Sequence, residues 1–135
     1  MAHFDLTDKN VNEEIKNNKI LLIDFWAEWC APCKMFAPVF EQASEKYPDI
    51  AFGSCNTEIQ QRVAAMFGIK SIPTLVIFKE QIMIFQQAGA LPESALEDIL
   101  QQTIKLDMDQ VRKEIAEEKA KEKAAERTDT RTSTD

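Results

Sequence analysis

Glycine is scarce in this chain: three residues in 135, alongside five prolines. That excludes collagen-like and loop-dominated classes. No apolar run approaches the roughly 20 residues that a membrane-spanning helix requires. Basic residues are outnumbered, 16 Lys and Arg against 23 Asp and Glu, for a net charge of −7. Residues 107–135 hold nine acids and seven bases, so the preceding body carries −5 of that total. An acidic body with a mixed-charge tail offers no footprint for nucleic acid or an anionic membrane. The opening residues, Met1-Ala2-His3-Phe4-Asp5, lack the basic start and apolar run of a secretion signal, so the expected location is the cytoplasm. Histidine occurs once, at His3, which reads as an ordinary N-terminal residue and gives little support to a Cys–His protease or transferase. Cysteine occurs three times. An odd count argues against a purely structural disulfide framework, and thiols in a reducing compartment are kept for reactivity or burial.

What is present suits one folded domain with an appendage: 44% hydrophobic and 29% charged residues fill one core. Thr7 and Asp8 are cap-type residues before a polar, helix-prone segment reaching Asn17. Ile20-Leu21-Leu22-Ile23-Asp24-Phe25-Trp26 reads as a strand buried on both faces, as in a parallel sheet. Met35, Phe36, Val39 and Phe40 fall at helical spacing, predicting a helix that ends before Pro48 and is kinked at Pro38. Residues 50–55 predict a second strand and residues 58–67 a helix stopped by Gly68. Thr74-Leu75-Val76-Ile77-Phe78 and residues 82–85 predict a hairpin, and Pro92-Glu93 opens a last helix. The order is that of an α/β domain with a central mixed sheet flanked by helices. Leu100, Ile104, Met108, Val111 and Ile115 continue one apolar stripe. The spacing therefore predicts one continuous helix over residues 93–126, about 50 Å long at 1.5 Å per residue. Asp109–Lys113 and Glu117–Lys121 would support it as i,i+4 pairs. The closing Thr, Asp and Ser residues predict disorder. The division expected is a domain over residues 1–106 and a charged extension over 107–135.

Cys30-Ala31-Pro32-Cys33 sits at the predicted strand-to-helix junction. Cysteines three apart at a helix start lie side by side. The first points outward and meets unpaired N–H groups and the positive end of the helix dipole, which favour the nucleophilic thiolate. The second lies within reach to displace a mixed disulfide. The competing reading is half a zinc site, which only Cys55 and His3 would complete. Asp24 interrupts an otherwise apolar run. It is either a buried acid with a raised pKa that exchanges protons with Cys33, or a strand-end residue that is solvated or caps the next helix. Pro73 is either an ordinary edge proline or a cis proline presenting backbone to a bound chain. Cys55, ending an apolar strand, is an inert buried thiol or a regulatory one.

Phe25-Trp26-Ala27-Glu28-Trp29-Cys30-Ala31-Pro32-Cys33-Lys34 with Met35 and Pro38, then Phe67-Gly68-Ile69-Lys70-Ser71-Ile72-Pro73-Thr74, then Gly89-Ala90-Leu91, resembles the bacterial thioredoxins in order and spacing, from Phe4 to about Ile104. The resemblance implies the thioredoxin fold, here with an extended C-terminal helix. It implies a protein-disulfide reductase working by dithiol–disulfide exchange, with Cys30 attacking, Cys33 resolving and Asp24 as the buried proton-transfer carboxylate. Trp29, Ile72, a cis Pro73, Ala88 and Gly89 would line the groove for an extended substrate segment. No cofactor would bind the chain; electrons would come from NADPH through a separate thioredoxin reductase, and disulfide-containing proteins would be the substrates.

The departures from that family are specific. Ala31-Pro32 stands where Gly-Pro is usual, which bears on the reduction potential. Ser54 stands where many relatives carry a lysine beside the buried acid, and losing that cation raises the pKa of Asp24 further. Ser71 and Glu80-Gln81 replace glycines at the groove rim and hairpin turn. The stripe reaching Ile115 extends past the family's usual end. The expectation is a monomer with an exposed tail helix, against a tail that dimerises or docks a partner. A specialised oxidant or isomerase is the remaining alternative, disfavoured by the Trp29 context.

Overall fold

The computed structural model describes residues 2–133. The elements run β1 (Phe4–Asp5), α1 (Val11–Asn17), β2 (Ile20–Trp26), α2 (Ala31–Lys46), β3 (Ala51–Asn56), α3 (Gln61–Met66), β4 (Thr74–Lys79), β5 (Ile82–Ala88), α4 (Glu93–Lys105) and α5 (Met108–Ser133). The chain divides into two compact units, residues 1–104 and 105–135.

In the first unit one sheet is ordered β1-β3-β2-β4-β5. β1, β3 and β2 are parallel, and β4 and β5 join antiparallel. β2 is central, and its alternation divides the core. Leu22 packs with Phe36 and Phe40 of α2, Phe52 of β3, and Leu96 and Leu100 of α4. Leu21, Ile23 and Phe25 pack on the opposite face with Val11 of α1 and Val63 of α3. Full burial of each such side chain contributes about 2–3 kcal/mol. Period-two alternation puts Asp24 on the face that carries α2.

The expected mixed sheet, buried β2 and hairpin are present. Gly68 has φ +63° after α3, the left-handed stop its position predicted. α2 runs through Pro38 as a single helix. Other boundaries moved for local reasons. Thr7 Oγ1 accepts from the N–H groups of Lys9 and Asn10, so a turn precedes α1, which begins at Val11. Asn56 Oδ1 accepts from Glu58 N at 3.0 Å, so another turn precedes α3. β5 reaches Ala88, past the predicted residue 85, with an irregularity at Ile77/Phe78. The two-residue β1 had no expectation behind it.

The continuous helix over residues 93–126 is corrected. α4 ends at Lys105 and a separate α5 begins at Met108. Asp107 Oδ1 accepts from Asp109 N at 3.0 Å and Gln110 N at 3.3 Å, an N-cap that starts a new helix despite the unbroken stripe. Asp109 pairs with Arg112 at 2.5 Å, so its ion-pair partner is at i+3. α5 continues to Ser133, beyond the predicted end. The disorder predicted for the closing residues lies, for 134 and 135, outside the described residues. No helix among the described residues is long and apolar enough to cross a membrane.

Candidate functional site

The site forms where β2 feeds α2. Cys30 is the N-cap of α2, with φ −89° and ψ 107°. Its Sγ accepts the Cys33 N–H at 3.2 Å, as a serine or aspartate oxygen does at other helix starts. Pro32, in the first turn, gives up an N–H that has no intrahelical acceptor. Cys30 and Cys33 are joined as a disulfide, with Cα atoms 5.2 Å apart. The outward-pointing placement expected of Cys30 is corrected: the residue is 2% exposed, and Cys33 is 3% exposed. Both pack with Ala27, against Trp26 and Ile72.

Two openings reach the pair from different sides. On the Cys30 side is a groove of about 500 Å3 walled by Trp29, Ala31, Pro32, Lys70, Ser71 and Ile72, with Thr57 and Ile69 completing it. Trp29 is 69% exposed, and its indole N–H donates to Glu58. The Ile72–Pro73 peptide is cis, and the Ile72 carbonyl oxygen lies 3.8 Å from Cys30 Sγ. Ala88 pairs with Thr74 in the sheet, and Gly89, at φ +106°, donates its N–H to the Pro73 carbonyl at 2.8 Å. Trp29, Ala31, Pro32 and Ile72 are thus gathered around Cys30, while Ala88 and Gly89 stand beside Pro73. Ser71, expected at the rim, lines the groove, whereas Thr57, Ile69 and Lys70 were not singled out as groove residues by the sequence, although Ile69 and Lys70 lie just before the Ile72-Pro73-Thr74 signal.

On the Cys33 side is a cavity of about 280 Å3 reached by Asp24, Cys33, Trp26, Ser54 and Phe40. Asp24 is 3% exposed, which settles the strand-end alternative against solvation. Its Oδ1 has no hydrogen-bond partner among the described residues. Burial pushes its carboxyl up to about 7. Ser54 is its register partner on β3 and brings no compensating charge. His3, read from the sequence as an ordinary terminal residue, also lines this cavity. No local pattern signals a contact that spans so much sequence.

Cys55 is fully buried beside Phe25 on the other face of the sheet. Burial, with the nearby Asp24 charge second, pushes its thiol up to about 12. That matches the inert alternative. The zinc reading fails on placement: Cys55 faces away from the pair and His3 is engaged by Glu41. Among the described residues no three His, Cys, Asp or Glu side chains are grouped to hold a metal.

The family model for thioredoxin matches residues 2–102. A Streptomyces coelicolor protein described as a thioredoxin 2 is 54% identical over 112 residues, covering 83% of this chain and 84% of its own. The thioredoxin of Porphyra purpurea is 41% identical over 77% of this chain and 99% of its own. Among solved structures, the oxidised form of mitochondrial thioredoxin 3 from Saccharomyces cerevisiae is 31% identical with a TM-score of 0.68, covering 74% of this chain and 93% of that one. A mutant thioredoxin from Halobacterium salinarum gives a TM-score of 0.71 at 28% identity, over 78% and 92%. With the helix-capping sulfur, the adjacent second cysteine and these likenesses together, the chain belongs to the thioredoxin family of thiol–disulfide oxidoreductases, and Cys30 and Cys33 are its redox pair.

Proposed function

We propose that the two sides of the redox pair divide the reduction of protein disulfides between them. On the groove side the Cys30 thiolate attacks a substrate disulfide. A Cys30–substrate bond forms, the substrate S–S bond breaks, and one substrate sulfur leaves as a thiolate that takes up a proton. On the cavity side the Asp24 carboxylate takes the proton of Cys33. The Cys33 thiolate then attacks Cys30 Sγ, the Cys30–Cys33 bond forms and the second substrate sulfur leaves as a thiolate. Two electrons have passed from the chain to the substrate.

The observation that carries this reading is the 3.2 Å contact from the Cys33 N–H to Cys30 Sγ at the start of α2. In the dithiol state that donor and the helix dipole stabilise negative charge on the first sulfur only. Trp29, Ile72, Pro73, Ala88 and Gly89 flank an extended substrate segment, and Ala31-Pro32 holds the spacing of the pair. Electrons return from NADPH through a separate thioredoxin reductase in the cytoplasm. The chain works as a monomer: residues 116–126 of α5 are exposed and built of Ala, Glu and Lys, which leaves too short a seam for a coiled coil.

Insulin reduction driven by a dithiol donor tests the scheme. The chain accelerates precipitation, Cys30→Ser brings the rate to that of the donor alone, and Cys33→Ser accumulates a mixed disulfide. Full activity in Cys30→Ser would exclude it.

A further inference from the structure

His3 and Asp24 share one cavity with Cys33, although His3 precedes the edge strand β1 and Asp24 lies on the central strand β2. The buried Asp24 Oδ1 in its wall has no partner among the described residues. A carboxyl that gains and loses a proton in each cycle needs a route to solvent, and a cavity of about 280 Å3 has room for several waters at roughly 30 Å3 each.

The other charged groups at this cavity are Asp5 on β1, Glu28 after β2 and Lys34 on α2. All three are exposed. His3 is different. Its side chain is 28% exposed, and its Nδ1 is engaged by Glu41 of α2. The ring stands edge-on to Phe40, centroids 6.5 Å apart. Glu41 also accepts the Ala2 N–H at 3.3 Å, and β1 is pinned by pairing Phe4 with Gly53 and Asp5 with Ser54. An ionised carboxylate only accepts, so the Nδ1 engaged by Glu41 carries a proton, and in the neutral ring Nε2 is the acceptor. Cys55, the remaining titratable group near Asp24, is shut on the other face of the sheet.

We propose that His3, oriented by Glu41, is the proton-exchange residue that links Asp24 to solvent through this cavity. Each turnover then moves one proton from Cys33 Sγ to Asp24, through water to His3 Nε2, and from His3 to bulk; no electrons follow this path. His3 acts through Asp24 and touches no substrate, so the inference rests on the proton-transfer role given to Asp24 above.

The test is a single-turnover reduction of a protein disulfide by the fully reduced chain, followed by tryptophan fluorescence from pH 5.5 to 8.5. It compares the unaltered chain with His3→Ala, Glu41→Gln and Asp24→Asn. His3→Ala is expected to lose about fivefold in rate at pH 7, a modest share of the usual contribution of acid–base groups. Added imidazole is expected to restore it, and Glu41→Gln to show a smaller loss of the same pH form. An unchanged rate in His3→Ala, or a loss that imidazole does not restore, overturns the relay. If Asp24→Asn alters the pH profile while His3→Ala does not, only the relay falls. If Asp24→Asn leaves the profile unchanged, the role of Asp24 falls and the relay with it.

Discussion

Asp24 and Lys79 are buried to nearly the same degree, 3% and 4% exposed, on the adjacent strands β2 and β4. They sit toward opposite ends of the sheet: Asp24 pairs with Leu75, whereas Lys79 pairs with Ile20. At the far end the charge is answered. Lys79 Nζ donates to the carbonyls of Thr103 at 2.8 Å and Ile104 at 3.1 Å, near the end of α4 where carbonyls lack helical donors. At the redox end, among the described residues, the charge is left unanswered, with no partner for Oδ1 beside a cavity that also reaches Cys33. Burial alone therefore does not mark a chemical residue. The presence or absence of fixed partners separates a buried charge that closes a helix from one available for proton transfer.

Removing each charge should move stability in opposite directions. The Asp24 carboxyl is raised from 3.8 to about 7 in the fold. Between those values the folded chain holds a proton that the unfolded chain has released. Stability therefore falls as pH rises from about 4 to about 7 and is level above that. Asp24→Asn should stabilise the chain on the order of 4 kcal/mol at pH 8, and the gain should shrink steadily toward pH 4. Guanidine unfolding at pH 8, 6 and 4.5 reads this; a gain that ignores pH would break the contrast with Lys79.

Lys79→Met takes the donor from the buried Thr103 carbonyl and the part-buried Ile104 carbonyl and should destabilise by about 2–3 kcal/mol. The loss should be similar at pH 6 and pH 8, with disulfide-reduction rates retained, since the lysine lies away from the pair. Next to Lys79, the hairpin turn places Glu80 at φ 51° and Gln81 at φ 70°, the left-handed region. Gln81→Gly should relieve that and stabilise by about 1 kcal/mol in thermal unfolding, the smallest of the three effects.

Much of this arrangement is legible in the chain. A seven-residue apolar run with one acid locates β2 and its buried carboxyl because period-two alternation leaves Asp24 no exit to solvent. The Cys-Ala-Pro-Cys step marks the start of α2 because its residues satisfy a helix N-terminus. Ile72-Pro73-Thr74 marks the groove wall. Other parts are not local. β1 is too short to show a period; its place is set against Gly53, where a Cβ would lie 3.3 Å from the Phe4 ring. One side chain, Asp107, ends the long helix that the apolar stripe predicts. The His3–Glu41 contact joins residues 38 positions apart and leaves no pattern in sequence. The buried state of Cys30 depends on Ile72, brought in by a distant loop.

The sulfur that attacks the substrate is also the atom that closes the first turn of α2. Oxidation state and local folding are consequently coupled equilibria, and reciprocity applies: whichever form of Cys30 receives the Cys33 amide better is favoured by the helix, and that form in turn firms the helix start. Substitutions well down α2, touching neither sulfur, thereby become a means of shifting the balance between dithiol and disulfide.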